Sequence, residues 1–150
     1  MANEARVQSS LVIRSSDTGM DYRSNPTTFL ADVANPRGPK PGLLTVTPHE
    51  VEVVSFSPLT TPALCRIQNL DPDTVLEYGV WDAGISKFFP LGEVQPGESY
   101  VIRLSRNLGK DYVGTGTVSE TGPSYLGIKC GQVSGTADHT VNALVEAFDA

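Results

Sequence analysis

The sequence predicts an all-β protein: a single-domain antiparallel β-sandwich or jelly roll with an irregular Pro/Gly-rich arm. Apolar and polar residues alternate with period two in several segments, which is typical of strands that bury one face. Glycine and proline supply 14 and 11 of the 150 residues, so turns are frequent and long helices are disfavoured. Roughly eight to ten short strands, about 8–12 residues apart, favour a two-layer architecture.

Extended segments alternate with turn residues through the first half of the chain. Residues Ala5–Arg14 alternate, with Val7, Leu11 and Ile13 on one side, and predict the first strand, which ends in the turn formers 15–19. A short strand is expected over Thr27–Val33. Three prolines and two glycines then fall within Asn35–Gly42, where neither a helix nor a central strand can continue. We expect an exposed loop or arm there, available to a neighbour, before extended structure resumes over Leu43–Phe56.

The second half of the chain continues the same pattern. Strands are expected over Ala63–Leu70 and Val75–Val80, joined by the turn Asp71–Thr74, and a further strand over Tyr125–Cys130. The C-terminal segment Val141–Phe148 fits both a helical stripe and strand spacing. We favour a strand, because the remainder of the chain is β and a terminal strand can close a sheet.

The clearest predicted hairpin joins Phe88–Val94 to Ser99–Leu104. Its connection is Gln95-Pro96-Gly97-Glu98. Proline fixes the first central φ and glycine accepts a positive second φ, which suits a type II turn.

Length, charge and cysteine usage limit the classes of function. One hundred and fifty residues are the usual size of one domain, so we expect a single domain over residues 1–150. A net charge of −6 predicts no nucleic-acid partner, since phosphate binding needs clustered cations. No apolar run approaches the roughly 18 residues that cross a bilayer, and no secretory leader is legible, so we expect no membrane partner. For Cys65 and Cys130 we favour two buried thiols in a reducing cytoplasm; a single disulfide between them is the alternative.

Residues that could carry catalysis or bind a metal are few and scattered. His49 lies in a predicted turn and His139 in a polar loop, where exposed histidines are common. Asp71, Asp73 and Asp82 could be proposed as a calcium site, but calcium loops spread several oxygen ligands over a fixed spacing, and a solvated turn is favoured here. We therefore expect no catalytic residues, no metal, no cofactor and no enzymatic activity.

The densest aromatic group surrounds the single tryptophan. Tyr78 precedes Trp81, and Phe88 follows it. Such residues can stack on a sugar ring or anchor a protein partner. The alternative is that they pack the end of a two-layer core.

Several segments between residues 63 and 104 resemble a group of small β-rich virion structural proteins of tailed bacteriophages. The shared features are an Asn-Leu-Asp turn, a strand with an aromatic or acidic residue before glycine, and a Pro-Gly-Glu turn. Looser similarity extends to residues 125–130 and 141–148. The matching runs are Leu64–Asp71, Glu77–Val80, Phe89–Leu91, Pro96–Glu98 and Val101–Leu104.

This resemblance implies a virion structural role, made in the bacterial host cytoplasm, and carries no catalytic residues. Within that role we favour a capsid decoration (cement) protein that binds the major capsid protein or other virion proteins. A homo-oligomer is expected, with a trimer favoured. A tail or head–tail joining protein and a non-catalytic carbohydrate-binding module remain the alternatives. The candidate partner-binding residues are Asn35, Pro36, Arg37, Pro39, Tyr78, Trp81 and Phe88.

Overall fold

The computed structural model describes residues 4–14, 16, 19, 21–32, 40–57, 59, 62–105, 108, 124–131 and 140–149. Within these residues the fold is all-β, with twelve strands and no helix, as the sequence predicts. The strands are β1 Glu4–Ser9, β2 Val12–Arg14, β3 Asp21–Arg23, β4 Thr27–Asp32, β5 Lys40–Val46, β6 Val51–Val53, β7 Pro62–Asn69, β8 Leu76–Asp82, β9 Lys87–Val94, β10 Ser99–Arg103, β11 Ser124–Cys130 and β12 Val141–Asp149.

The chain divides into two compact units. Residues 1–36, with residue 150, form the first unit and residues 37–149 form the second. Strands β1–β4 therefore belong to the first unit and β5–β12 to the second. Compact units defined by contacts are not necessarily separate domains, so the expectation of one domain over residues 1–150 stays a prediction.

The first unit is built around a two-stranded antiparallel ribbon. Strand β1 pairs with β4, and β2 pairs with β3. The register shifts by one residue between Ser9↔Thr27 and Val12↔Arg23. Ser24 spans the shift: its backbone N–H donates to the Leu11 carbonyl at 2.8 Å, and its hydroxyl accepts from the Leu11 N–H at 2.8 Å. The predicted first strand is thus present as β1 and β2.

The second unit is a sandwich of two four-stranded antiparallel sheets. One has the order β5-β12-β7-β10, and the other has the order β6-β11-β8-β9. Among the described strands of the second unit, β8 and β9 are the one consecutive pair that shares a sheet, and each other connection passes between sheets. Eight strands arranged in this way form a jelly roll.

The core lies between the inner faces of these two sheets. Side chains of β12 alternate between buried and accessible positions along its whole length, and this strand pairs with both β5 and β7. The predicted C-terminal strand is therefore confirmed. Burying each large aliphatic side chain contributes roughly 1.5–3 kcal/mol. The core residues are Val46, Val54, Cys65, Ile67, Leu76, Val94, Leu104, Leu126, Ile128, Cys130, Val141, Ala143 and Val145.

The predicted Pro-Gly turn is present, but the predicted hairpin is wrong. Glu98 N–H donates to the Gln95 carbonyl at 2.9 Å, and Gly97 has φ 76°. However, β9 pairs with β8 whereas β10 pairs with β7 in the opposite sheet. A turn fixes only the local reversal of the chain. Which strands pair depends on which apolar faces pack together, and here the chain crosses from one sheet to the other between β9 and β10.

The predicted exposed loop over residues 35–42 is also partly wrong. Lys40, Pro41 and Gly42 begin β5 and pair with residues 145–147 of β12. Proline is tolerated because β5 is an edge strand, which leaves one side without a pairing requirement. Residues 35–39 of that prediction lie outside the described residues.

Candidate functional site

Three aromatic side chains form a row across the outer face of the second sheet. Tyr125 of β11 is the register partner of Trp81 in β8, and Trp81 is the register partner of Phe88 in β9. All three are half-buried. Directly opposed aromatic residues on neighbouring strands are close enough to pack on one another. We call Tyr125, Trp81 and Phe88 the aromatic row.

A glycine lies beneath the aromatic row. A Cβ atom added to Gly127 would lie 2.9 Å from Cγ1 of Val51 and 3.2 Å from two ring carbons of Phe88. The Phe88 ring and the Val51 side chain therefore lie directly over the bare backbone of β11, and Gly127 is buried as a result. Part of the aromatic row thus packs on the sheet itself, while Trp81 and Tyr125 keep a half-exposed surface.

The structure brings Trp81 and Phe88 together but separates Tyr78 from them. Tyr78 packs against the core between the sheets. A Cβ atom added to Gly92 on the neighbouring strand would lie 2.6 Å from the Tyr78 hydroxyl. Among the candidate residues, Tyr78 is therefore a core side chain, and Tyr125 takes its place in the aromatic row.

The remaining candidate partner-binding residues, Asn35, Pro36, Arg37 and Pro39, lie outside the described residues. His139 also lies outside them. His49 is exposed, with φ 65°, in the turn before β6.

The aspartates considered as calcium ligands instead hold turns together. One carboxylate oxygen of Asp71 accepts the backbone N–H of Asp73 at 3.0 Å and that of Thr74 at 2.8 Å. Asp82 accepts the N–H groups of residues 84 and 85 at 2.8 and 3.2 Å. In the part of the chain that the structure describes, no three histidine, cysteine, aspartate or glutamate residues are grouped to hold a metal.

An apolar groove opens where β5 and β6 form the edges of their sheets. Its volume is about 190 Å³. Its walls are almost entirely aliphatic or aromatic, and Ser55 supplies the one side-chain hydroxyl. The lining residues are Gly42, Leu44, Val53, Val54, Ser55, Phe56, Val145 and Ala147.

The ribbon of the first unit exposes apolar side chains. Leu11 and Leu30 are 55% and 59% exposed. Val12, Ile13 and Tyr22, near the β2–β3 end, are each exposed as well. Ile13 and Tyr22 are register partners at one end of the ribbon, and exposed apolar side chains grouped in this way mark an interaction surface more often than a solvated face. Sequence reasoning identified this segment as a strand but did not identify it as a contact surface.

The two cysteines are buried free thiols. Burial raises the pKa of the Cys65 thiol to about 12. Burial also raises the pKa of Cys130, assisted by the nearby carboxylates of Asp71 and Glu77. Both thiols therefore stay protonated and poorly nucleophilic near neutral pH.

No described segment forms a helix long and apolar enough to cross a membrane. Comparison with protein-family models, with curated proteins and with solved structures finds no match to this chain.

Proposed function

We propose that this protein is a structural component of a tailed-phage virion, and specifically a capsid decoration protein that stabilises the head by bridging neighbouring subunits. The observation that carries the proposal is the ribbon of the first unit, with its exposed apolar side chains. It is supported by the jelly-roll body, an architecture that recurs in viral capsid proteins, and by the sequence segments that resemble phage virion proteins.

The ribbon has the physical properties of an element that is completed by a partner. A two-stranded antiparallel ribbon is marginally stable in water by itself. Leu11 and Leu30 are exposed, so they stabilise the ribbon only when a further surface removes them from water. A neighbouring subunit supplies such a surface, and many weak contacts on one lattice reinforce one another through avidity.

The polar groups of the second unit also favour binding over chemistry. The carboxylates of Asp71 and Asp82 accept backbone N–H groups in turns. Asp71 also lies near the Cys130 thiol, but its charge raises the pKa of that thiol and so disfavours the thiolate that nucleophilic chemistry needs. The protein is therefore proposed to act by contact, with the capsid protein as its main partner.

Co-sedimentation with separated phage heads and tails tests this proposal. Purified protein should pellet with heads, saturate in proportion to the major capsid protein and raise the temperature at which heads release DNA. Binding to tails alone, or a copy number equal to one ring at the head–tail junction, favours the joining-protein alternative. Failure to bind either fraction overturns the virion role.

A carbohydrate-binding module is the second candidate, and the aromatic row is the observation that favours it. Trp81 and Tyr125 are half-buried register partners on the outer face of the sheet, and aromatic rings with an accessible face can stack on sugars. A glycan array should then give binding that Trp81→Ala abolishes. Phe89→Ala is the matched control, because Phe89 is an exposed aromatic residue of β9 outside the aromatic row. Absence of any glycan signal removes this candidate.

A further inference from the structure

The apolar groove has the features of a site for an added β-strand. It lies between β5 and β6, and among the described strands each of these is the last of its sheet. Edge strands offer unpaired main-chain groups to an incoming strand, and a pocket beside the edge selects the side chains of that strand. With a volume of about 190 Å³ and mostly apolar walls, the groove has room for aliphatic side chains and little to offer a polar ligand.

The β2–β3 end of the ribbon, residues 11–14 and 21–23, is an apolar segment of the kind the groove would accept. We call it the ribbon tip. Ile13 and Tyr22 are register partners, so their side chains share one face, while Val12 pairs with Arg23 on the other. All three apolar side chains are exposed. Their backbones are already extended, so little conformational entropy is lost when the tip adds to a sheet edge.

Charges at the two surfaces are complementary. Arg14 and Arg23 lie at the ribbon tip and are exposed; they outnumber the one exposed carboxylate there, that of Asp21, the register partner of Arg14. Glu50 and Glu52 lie immediately before or within β6, beside the groove residue Val53. Opposite charges at the rim of an apolar contact speed association and fix its orientation.

We propose that the ribbon tip of one copy inserts into the apolar groove of a second copy, with Ile13 entering the groove. The two contacting surfaces differ, so the contact is head-to-tail and generates a ring when the rotation closes. This self-association goes beyond the proposed function: it occupies the ribbon tip and leaves Leu30, which pairs with Arg6 away from the tip, to contact the capsid.

Sedimentation velocity of the full chain tests the contact. The wild-type chain should form concentration-dependent oligomers that weaken as salt rises, because exposed ion pairs are screened. Ile13→Glu should weaken association at least about tenfold. Gly42→Leu should do the same by filling the groove; a Cβ atom there makes an ordinary contact with the Val145 carbonyl oxygen at 3.7 Å, and a thermal midpoint close to that of the wild-type chain checks that this variant is folded. Leu91→Glu is the matched control, since Leu91 is 69% exposed on the opposite edge, and it should associate normally.

Cross-linking decides which groove is occupied. Chains carrying Ile13→Cys are mixed with chains carrying Val53→Cys and oxidised, and a covalent dimer should form. No covalent dimer should form when chains carrying Leu91→Cys are used in place of those carrying Val53→Cys. A wild-type chain that stays monomeric, or a double variant Ile13→Cys/Val53→Cys that cross-links only within one chain, overturns the proposal. Head co-sedimentation is scored separately, so absent head binding with intact cross-linking overturns the virion role alone.

Discussion

Tyr78 and Trp81, three residues apart in β8, occupy opposite faces of the second sheet. Trp81 joins the aromatic row outside the sandwich, while Tyr78 packs against the core within it. Successive side chains of a strand alternate between faces, so residues separated by an odd number cannot share one surface. Any partner that binds the outer face therefore contacts Trp81 and leaves Tyr78 untouched.

Truncation of these two residues should affect stability differently. Tyr78→Ala should lower the free energy of unfolding by about 2–4 kcal/mol, because it leaves a cavity beside the core. Trp81→Ala should lower it by about 1 kcal/mol, the value of a packed surface aromatic contact. Urea unfolding followed by circular dichroism measures both. Tyr78→Phe keeps the ring and should retain most of the stability; a Trp81→Ala loss larger than that of Tyr78→Ala would reverse the assignment of faces.

Much of the fold could be predicted from local pattern. Period-two alternation locates β1 and β7, and the Pro96-Gly97 pair correctly predicts the turn. Partner choice could not be predicted in the same way: β10 pairs with β7 across the sandwich rather than with β9. That choice depends on which apolar faces meet, and no single segment encodes it.

The candidate site shows the same limit. The aromatic group around Trp81 is visible in the sequence, and the alternation rule already places Tyr78 on the other face. Tyr125 is 44 residues further along and joins the row through the β11–β8 register. The packing of Phe88 over Gly127 likewise depends on that register, so the sequence alone does not reveal it. Similarly, Pro41 predicts a loop from the sequence alone, and its place in a strand is explained only by the position of β5 at a sheet edge.

Asn69 is a buried polar residue whose loss should be costly. Its side-chain amide donates to the carbonyls of Thr74 at 2.7 Å and Val94 at 3.0 Å, and its side-chain oxygen accepts the N–H of Asp71 at 2.9 Å. Asn69→Ala should reduce the free energy of unfolding by about 3 kcal/mol, since buried groups lose their partners. Chemical denaturation measures it. Gln95→Ala, which removes an exposed amide, is the control and should stay within about 0.5 kcal/mol of wild type. Equal losses in both variants would contradict the assigned role of Asn69.

Gly79 is required by the close approach of β9. A Cβ atom at this position would collide with the Phe89 carbonyl oxygen and lie 2.9 Å from Cα of Pro90, next to the register shift between β8 and β9. Since both contacts are backbone, neither can move cheaply. Gly79→Ala should destabilise the fold by about 3 kcal/mol or more. The control is Gly42→Ala, which makes an ordinary contact and should be near neutral or slightly stabilising. A thermal midpoint for Gly79→Ala equal to that of the wild-type chain would exclude this close packing.

The Cys65 thiol should make the stability of the protein fall in alkaline solution. Burial raises the pKa of this thiol from its ordinary value of 9.0 to about 12. Below pH 9 the thiol is protonated in both folded and unfolded chains, so its contribution is constant. Above pH 9 the unfolded chain releases the proton while the folded chain retains it, and stability is lost progressively up to about pH 12.

Urea unfolding at pH 8, 9 and 10.5 measures this loss. Between pH 9 and 10.5 the wild-type chain should lose up to about 2 kcal/mol more than Cys65→Ala, in which the titrating group is absent. Cys130→Ala serves as the comparison, because its raised pKa acts in the same direction and leaves the Cys65 contribution in place. Parallel pH profiles for the wild-type chain and Cys65→Ala would show that Cys65 ionises as readily in the folded chain as in the unfolded one, against its buried position between the sheets.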